Sequence, residues 1–413
     1  MCAAAIAKYG LAWYNLSDKK RLVRIMTKKR AFVLLTLMNF IIYGMNGIYY
    51  SFIQQYIGVY QPPVAAGYLL ALGPAVTMIS PFFWGIRADK AKYKNTILLI
   101  NLIGGAASLS VLPLFPESFP YLFVVLVTLM FFIAPFATMA DAITLDIASD
   151  MGLTFGMMRC VGTLAFGVMT LLVSALYERS RAWFFIVYGI LAVMGVIVLL
   201  ICPKAKGKAD SKKRLDIRPI FRDRTLMSYT ALICMSQFLW QFYLNLYPGY
   251  VTGELGMSGR AWGWNILLSV AGEIPFFLLC KAIFRRRRGR QAAVFAALML
   301  TCVRYLVFAF ASSGWVIHLN ALITGFSPVV LLYCATLYVV DNLPPELHAT
   351  AINIPTALSF GGARMAASVL SGYAAVGLGA QKTLLYCFFF AAASMIAYYA
   401  VGFVRAACGC FRK

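Results

Sequence analysis

The segment that decides the fold runs from Ala31 to Phe52 and reads AFVLLTLMNFIIYGMNGIYYSF, without a charged side chain. A helix needs about 20 predominantly apolar residues to cross a bilayer, so this segment is long enough to span one. It is also longer than the apolar part of a cleavable signal peptide, which holds ~7–15 residues. We therefore expect it to be a retained first transmembrane helix that follows the basic residues up to Arg30.

Apolar windows of similar length recur along the whole chain. After 31–52 they cover 64–86, 96–113, 120–147, 155–177, 182–202, 226–250, 261–284, 292–312, 315–340, 348–374 and 381–404. The longest polar stretch inside the chain, residues 204–224, separates six windows from six. We therefore expect an all-α membrane protein of about twelve transmembrane helices. It has a six-helix half at 1–203, a basic linker at 204–224 and a second half at 225–413.

Composition excludes other classes of protein. The chain is 62% hydrophobic and only 12% charged, whereas a water-soluble domain of this size needs far more charged surface. The ten cysteines are scattered, and the two histidines, His318 and His348, lie thirty residues apart. Metalloenzymes and disulfide frameworks need clustered ligands or paired cysteines, so we expect no metal, no cofactor and no enzymatic activity.

The distribution of charge defines an orientation in the membrane. The formal net charge is +23, and 30 of the 37 basic residues fall before the first window, in 87–94, in the linker, in 281–290 or in the tail. With twelve spans these clusters share one side, and cytoplasmic loops carry such an excess. We expect both termini and the linker in the cytoplasm. The protein is then multi-pass in the plasma (inner) membrane, in contact with lipid and without a nucleic-acid partner.

Three arginines fall inside predicted spans: Arg159, Arg304 and Arg364. A charge in the hydrocarbon costs at least ~2.5–3.5 kcal/mol, so such residues are functional candidates. In an antiparallel hairpin, residues equidistant from the turn lie at the same depth. This rule places Asp141 level with Arg159 and Glu273 level with Arg304, one acid–base pair in each half. Arg364 has no acidic partner in the sequence, and either contacts an anionic substrate or faces a water-filled cavity.

Both predicted pairs have competing interpretations. They can be structural bridges that hold helices together instead of parts of a binding site or an ion pathway. Asp146 and Asp150 also lie close to Arg159 in the sequence and are alternative partners for it. The spacing alone leaves these alternatives open.

Polar side chains recur at helical spacing on the first and seventh windows, which hold corresponding positions in the two halves. The seventh window carries Gln237, Gln241 and Asn245, with Trp240 beside them. The first window carries Asn39, Tyr43, Asn46, Tyr50 and Gln54. One such stripe often serves only interhelical hydrogen bonds, but two matching stripes predict a polar cavity between repeats. Amides combined with aromatic rings suit a solute that bears hydroxyls or a ring.

The segment Gly85-Ile-Arg-Ala-Asp89-Lys90-Ala-Lys92-Tyr-Lys94 resembles the loop signature GxxxDRxGRR of the major facilitator superfamily. Lys92 stands where that family often has glycine, and the corresponding loop of the second half keeps only the basic residues. The resemblance implies a gating role for Gly85, Asp89 and Lys90. These positions carry no information about the substrate.

A narrower resemblance is to the oligosaccharide/proton symporters of the lactose permease group and the related phenylpropionate- and nucleoside-permease-like branch. The segment Phe155-Gly-Met-Met-Arg159-Cys-Val-Gly162 resembles the FGxxRxxG motif of that group. There the arginine pairs with an acidic residue on the preceding helix and holds substrate hydroxyls, and an aromatic ring stacks on the sugar. The resemblance implies these roles for Arg159, Asp141 and Phe166.

In the second half, Glu273, Arg304 and His318 resemble the acidic, arginine and histidine positions of the same group. The resemblance implies that they take part in proton coupling. In lactose permease a glutamate follows that histidine by three residues, and Ala321 stands there in this chain. The phenylpropionate-like branch relies on the glutamate and arginine, so we favour Glu273 with Arg304 for this chemistry.

These observations together favour a monomeric, proton-coupled importer of a small polar solute such as a sugar, glycoside or nucleoside. An efflux antiporter for drugs or metabolites is an alternative, although it would require a more hydrophobic cavity than the stripe of Gln237, Gln241 and Asn245 indicates. A non-transporting membrane sensor is an alternative from another class. A sensor is expected to carry a signalling domain, and none fits in the loops.

Overall fold

The computed structural model describes residues 2–410 apart from 208–217, 276–283, 285–286, 312 and 345–346. Side chains are described within residues 28–400, with 219, 287–288 and 349 also excepted. The centre of the linker, most of the basic segment 281–290, the basic residues before Lys28 and those of the tail therefore lie outside the described side chains.

The helices follow the predicted windows in order, and we number them accordingly. Their bounds are α1 (Cys2–Tyr60), α2 (Pro63–Lys90), α3 (Lys94–Val111), α4 (Phe119–Met151), α5 (Phe155–Tyr177), α6 (Ala182–Ile201), α7 (Arg224–Gly249), α8 (Gly259–Ala271), α9 (Arg287–Phe310), α10 (Gly314–Asn342), α11 (His348–Ala357, continued by Arg364–Gly377) and α12 (Gly379–Cys410). A short helix, Arg218–Arg222, precedes α7.

Prolines explain why several of these helices are interrupted. α2 breaks just before Pro81, α4 breaks at Pro135, and α10 breaks just before Pro328. Proline lacks the backbone N–H of the helical ladder and its ring clashes with the preceding turn. In α11 a π-helical turn, Leu358–Ala363, follows Pro355 and joins the two parts of the helix.

Within the described residues, nine helices are long and apolar enough to cross a membrane: α1 to α6, α9, α10 and α12. α7 carries a stripe of polar side chains, the described part of α8 is short, and α11 is divided by its π-helical turn. The all-α class is confirmed, and the count of twelve spans stays a prediction.

The outer face of α6 has the composition of a lipid-facing surface. Ile186, Ile190, Ile197 and Leu200 recur at helical spacing, and each is about half exposed or more. A long apolar stripe of this kind is a liability in water, but it is the stable arrangement against hydrocarbon chains. The face therefore agrees with a transmembrane position for α6.

Glycines bring the first six helices close to the last six. α5 packs on α8, and α2 packs on α11. Gly167 of α5 lies against Leu267, and Gly263 of α8 lies against α5 in the same way. In the second pair Gly67 of α2 faces Gly372 of α11. A Cβ at any of these glycines would collide with the facing helix, so the small residues allow this close packing.

Both described ends of the linker are anchored. Asn95 of α3 donates to the carbonyl of Pro203 at 3.0 Å and accepts from the backbone N–H of Ala205 at 3.0 Å. At the other end Asp223 caps α7 and accepts from the backbone N–H of Leu226 at 3.0 Å. The chain thus leaves α6 and enters α7 from fixed points.

Candidate functional site

A cavity of about 710 Å³ lies between the two sets of helices. Residues of α1, α2, α4 and α5 form one wall, and residues of α7, α8 and α11 form the other. Eight residues singled out in the sequence line it, namely Tyr43, Asn46, Tyr50, Gly85, Asp89, Phe166, Trp240 and Arg364. The polar stripe of α1 therefore lines the cavity, whereas the seventh window contributes Trp240, which lies beside its polar stripe.

The cavity extends toward one end of the molecule. It reaches Gly85, Asp89 and Lys94, where α2 ends and α3 begins. Toward the opposite end α2 and α11 are in contact, and the hydroxyls of Tyr68 and Tyr373 lie 2.9 Å apart. The helices are therefore closed at that end, and the cavity extends toward the end that carries Gly85 and Asp89.

In the segment 85–94 the residue that forms ion pairs is Lys94, which the sequence resemblance did not emphasise. Lys94 Nζ lies 2.8 Å from Asp146 Oδ2 and 3.7 Å from Asp89 Oδ1. Lys90, which was expected to act with Asp89, is exposed. Asp146, the alternative partner of Arg159, binds Lys94 instead.

Asp141 and Arg159 form the predicted pair between α4 and α5. Arg159 Nε lies 3.3 Å from Asp141 Oδ1, and its Nη1 donates to Thr163 Oγ1 at 2.7 Å. Tyr43 of α1 donates to Asp141 Oδ2 at 2.8 Å, and its ring centroid lies 4.0 Å from Arg159 Cζ. Tyr43 lines the cavity, so it connects the acid–base pair to the space where a solute would lie.

Arg364, which has no acidic partner in the sequence, contacts an amide. Its Nε and Nη2 both donate to Gln237 Oε1, at 2.9 and 2.5 Å. Its Cζ lies 4.5 Å from the ring centroid of Phe360. No ion pair to Arg364 occurs among the side chains that the structure describes, so it is a cation held by a neutral partner at the cavity wall.

Arg304 is buried in a group of aromatic rings. Its Cζ lies 4.8 Å from the ring centroids of Trp240 and Tyr243 and 5.5 Å from that of Phe308. Its Nη2 reaches Ser269 Oγ at 3.5 Å, and the side chain is only 3% exposed. Contacts with ring faces stabilise a buried cation without a counter-ion.

Glu273 does not pair directly with Arg304. Within the described part of the chain no ion pair joins the two, because the Arg304 guanidinium is turned toward the rings of α7. Arg159 and Arg304 both act electrostatically on Glu273. Glu273 therefore lies in the field of a cation from the first six helices as well as one from the last six.

The polar side chains of α7 contact α11 and, with one exception, do not line the large cavity. Gln241 donates to Asn245 at 2.8 Å, and Asn245 donates to Ser371 Oγ of α11 at 2.8 Å. These two amides hold α7 against α11 and do not line the large cavity, contrary to the sequence expectation. Gln237 accepts hydrogen bonds from Arg364. Of these four residues, only Trp240 lines the large cavity.

His318 lies outside the large cavity. It borders a separate apolar surface depression with Trp264, Leu268 and Trp315. A role for His318 in proton coupling, which the resemblance implied, receives no support from this position. In the described residues no three His, Cys, Asp or Glu side chains lie together as metal ligands would.

Sequence reasoning singled out Arg364 but missed the other residues on its face of α11. Asn353, Thr356, Phe360 and Arg364 line the large cavity. They recur at intervals of three, four and four residues, which places them on one face of a helix. That spacing was a readable signal, but no motif drew attention to it.

The sequence and the fold have known relatives. A model of the MFS_1 like family matches residues 32–388. The maltose permease of Geobacillus stearothermophilus is 23% identical over 313 residues, which cover 75% of this chain and 78% of the permease. YegT of Escherichia coli K12, a candidate nucleoside transporter, is 25% identical over 311 residues, which cover 70% of this chain and 71% of that protein.

Solved structures share the arrangement of helices. A mutant of the nucleoside transporter NupG superimposes with a TM-score of 0.81 at 16% identity, over 90% of this chain and 99% of that chain. A bacterial homolog of the lysosomal transporter Spinster, in an inward-facing and occupied conformation, gives a TM-score of 0.67 at 14% identity, over 91% of this chain and 97% of that chain. At these identities the likeness establishes the fold.

Proposed function

Because the chain belongs to the MFS_1 like family and is a secondary transporter of the major facilitator type, we propose that it imports a small polar solute by proton symport. The solute class is a sugar, a glycoside or a nucleoside-like molecule. The observation that carries the proposal is the cavity that Tyr43, linked to Asp141 and Arg159, lines together with Phe166 and Trp240. The names of the maltose permease and of YegT agree with this class.

Each side chain has a definite task in this scheme. The Asp141 carboxylate accepts hydrogen bonds from solute hydroxyls, and Arg159 donates to solute oxygens. Charged groups make such hydrogen bonds stronger than neutral ones. Phe166 and Trp240 provide flat apolar faces for a sugar or base ring. Asn46 and Tyr50 of α1 complete the polar wall.

Glu273 is the residue that we assign to the coupling proton. A carboxylate binds a proton more readily when nearby cations move away and releases it when they return. Arg159 and Arg304 act on Glu273 from different helices. Movement of α5 relative to α8 therefore ties proton binding at Glu273 to the conformation of the transporter, as symport requires.

Alternating access is the proposed cycle. The halves 1–203 and 225–413 rock about the cavity of one monomer in the plasma (inner) membrane, with the termini cytoplasmic. The present closure of α2 on α11 supports assignment of this conformation as open toward the cytoplasm. Gly85, Asp89 and Lys90 are then gate residues, with Lys94 as the ion-pairing group.

Uptake into proteoliposomes tests the proposal. Purified protein is screened against labelled sugars, glycosides and nucleosides, with and without an imposed inward proton gradient. We expect at least one solute of these classes to accumulate only with the gradient. Uptake that is the same with and without the gradient would contradict proton symport. Export of apolar drugs, instead of uptake of polar solutes, would contradict the proposed solute class.

A further inference from the structure

Arg364 lies at the junction of two cavities. A second cavity of about 70 Å³ adjoins the large one. The two share the same five lining residues, namely Tyr50, Thr77, Leu244, Phe360 and Arg364. The guanidinium of α11 therefore lies where the two cavities meet, with hydroxyl groups of α1 and α2 on the facing wall.

The other cations at or near the large cavity are accounted for. Arg159 is paired with Asp141, and Lys94 is paired with Asp146. Arg304 is enclosed by aromatic rings and is not among the residues that line the cavity. Among the described side chains, Arg364 is thus the lining cation whose charge no carboxylate balances.

The orientation of Arg364 is fixed from behind. Gln237 accepts from both Nε and Nη2, and Phe360 lies under the guanidinium plane. Within the described residues, Nη1 donates no hydrogen bond to the protein. An arginine held in this way keeps its remaining donors available without further loss of side-chain freedom.

We propose that Arg364 binds an anionic group of the transported solute, which is therefore an acidic member of the proposed class, such as a sugar acid or a nucleoside carboxylate. This inference rests on the proposed function. A partly buried cation without a counter-ion is costly in a membrane, and a ligand carboxylate offsets that cost at the moment of binding. The planar guanidinium matches a carboxylate, and the Tyr50 hydroxyl can donate to the same group.

Matched acid–neutral pairs test the proposal. The probes are glucuronate with glucose, galacturonate with galactose, and uridine 5′-carboxylate with uridine, measured for binding to the purified protein and for uptake into proteoliposomes. We expect one acid to bind at least about 10-fold more tightly than its neutral partner. Equal or stronger binding of the neutral partner would overturn the role of Arg364 and leave the proposed function standing. If no acid binds while the wider screen finds a neutral solute that is taken up, the role of Arg364 falls and the proposed function stands. If the wider screen finds no solute of these classes with folded protein, the proposed function falls.

Two substitutions assign the effect to Arg364. Arg364→Gln should weaken binding of the acid by about 10- to 100-fold and change binding of the neutral partner little. Gln237→Glu supplies a carboxylate beside Arg364, so it should remove the preference for the acid while the protein stays folded. The matched control is Arg179→Gln, which alters an exposed arginine away from the cavity. An acid preference that survives both substitutions would refute the proposal.

Discussion

The hydroxyl of Tyr43 donates to Asp141 Oδ2 across 2.8 Å, and this bond joins the carboxylate of α4 to the helix that lines the cavity. Arg159 contacts the same carboxylate from α5, at 3.3 Å. Three helices therefore meet at one acid. A solute hydroxyl that binds Asp141 must add to these two donors or replace one of them.

Replacement of the tyrosine tests this link. Tyr43→Phe removes one donor to a carboxylate and leaves Arg159 in place, so we expect the solute affinity to fall by about 10-fold. Protein yield and melting temperature should change little. Tyr56→Phe, at a buried tyrosine nearer the C-terminal end of the same helix, serves as the control. Unchanged affinity in Tyr43→Phe would mean that the bond is only structural.

The acid–base pair itself should be required for binding. We expect Asp141→Asn and Arg159→Gln each to abolish measurable solute binding while the protein still inserts and purifies as a single species. Each leaves its partner unpaired, but about a third of each side chain is exposed, so the loss of stability should be only ~1 kcal/mol. Near-normal affinity in either variant would contradict the lactose-permease-like role of the pair.

Proton coupling should depend on Glu273. Glu273→Gln removes the titratable group, so uptake driven by a proton gradient should be lost. Exchange of labelled for unlabelled solute should persist, because exchange requires no net proton movement. Glu254→Gln, at an exposed acid, is the control. Loss of exchange together with uptake, or survival of gradient-driven uptake, would mean that the coupling proton binds at another site.

The close packing of α2 on α11 should set the balance between conformations. A side chain at Gly372 collides with α2 in the present conformation, whereas Gly377 has open space around its Cβ position. We expect Gly372→Val, but not Gly377→Val, to favour the opposite conformation. A cysteine at Ala137, which lines the cavity, should then react several-fold faster with an impermeant reagent added outside.

Topology can be tested independently of transport. We expect single cysteines within 208–217 and near both termini to react with impermeant reagents only from the cytoplasmic side, on a background without other cysteines. A cysteine at Lys382 should react from the outside. The reverse pattern for the linker would contradict the count of twelve spans.

One rule of sequence interpretation succeeded for one pair and failed for the other. Equal distance from a turn placed Asp141 level with Arg159, and the structure pairs them across a tight turn in which Gly152 has a φ of 63°. The same rule placed Glu273 level with Arg304, but equal depth does not determine the direction in which a side chain points. Arg304 points at the rings of α7, a preference that spacing along one hairpin cannot reveal.

The polar stripes predicted which residues of α1 line the cavity, but they did not predict the hydrogen-bond partners of the polar residues on α7. The stripe on α1 predicted Asn46 and Tyr50 at the cavity, and the major facilitator resemblance predicted the fold that the comparisons confirm. The contacts of Gln241 and Asn245 depend on where α11 lies, and their distance in sequence from Ser371 hides that contact. Tertiary packing, which a local pattern does not contain, decided these cases.

The position of Lys94 affects the electrostatics of the proposed cycle. Its ammonium lies between two acids, 2.8 Å from Asp146 and 3.7 Å from Asp89. Asp89 lies at the end of α2, whereas Lys94 begins α3 and Asp146 lies on α4. A shift of α2 relative to α3 would therefore change the distance from Lys94 to Asp89 and leave the ion pair with Asp146 in place. Under the proposed cycle, a rearrangement at this end of α2 would not leave the lysine without a carboxylate partner.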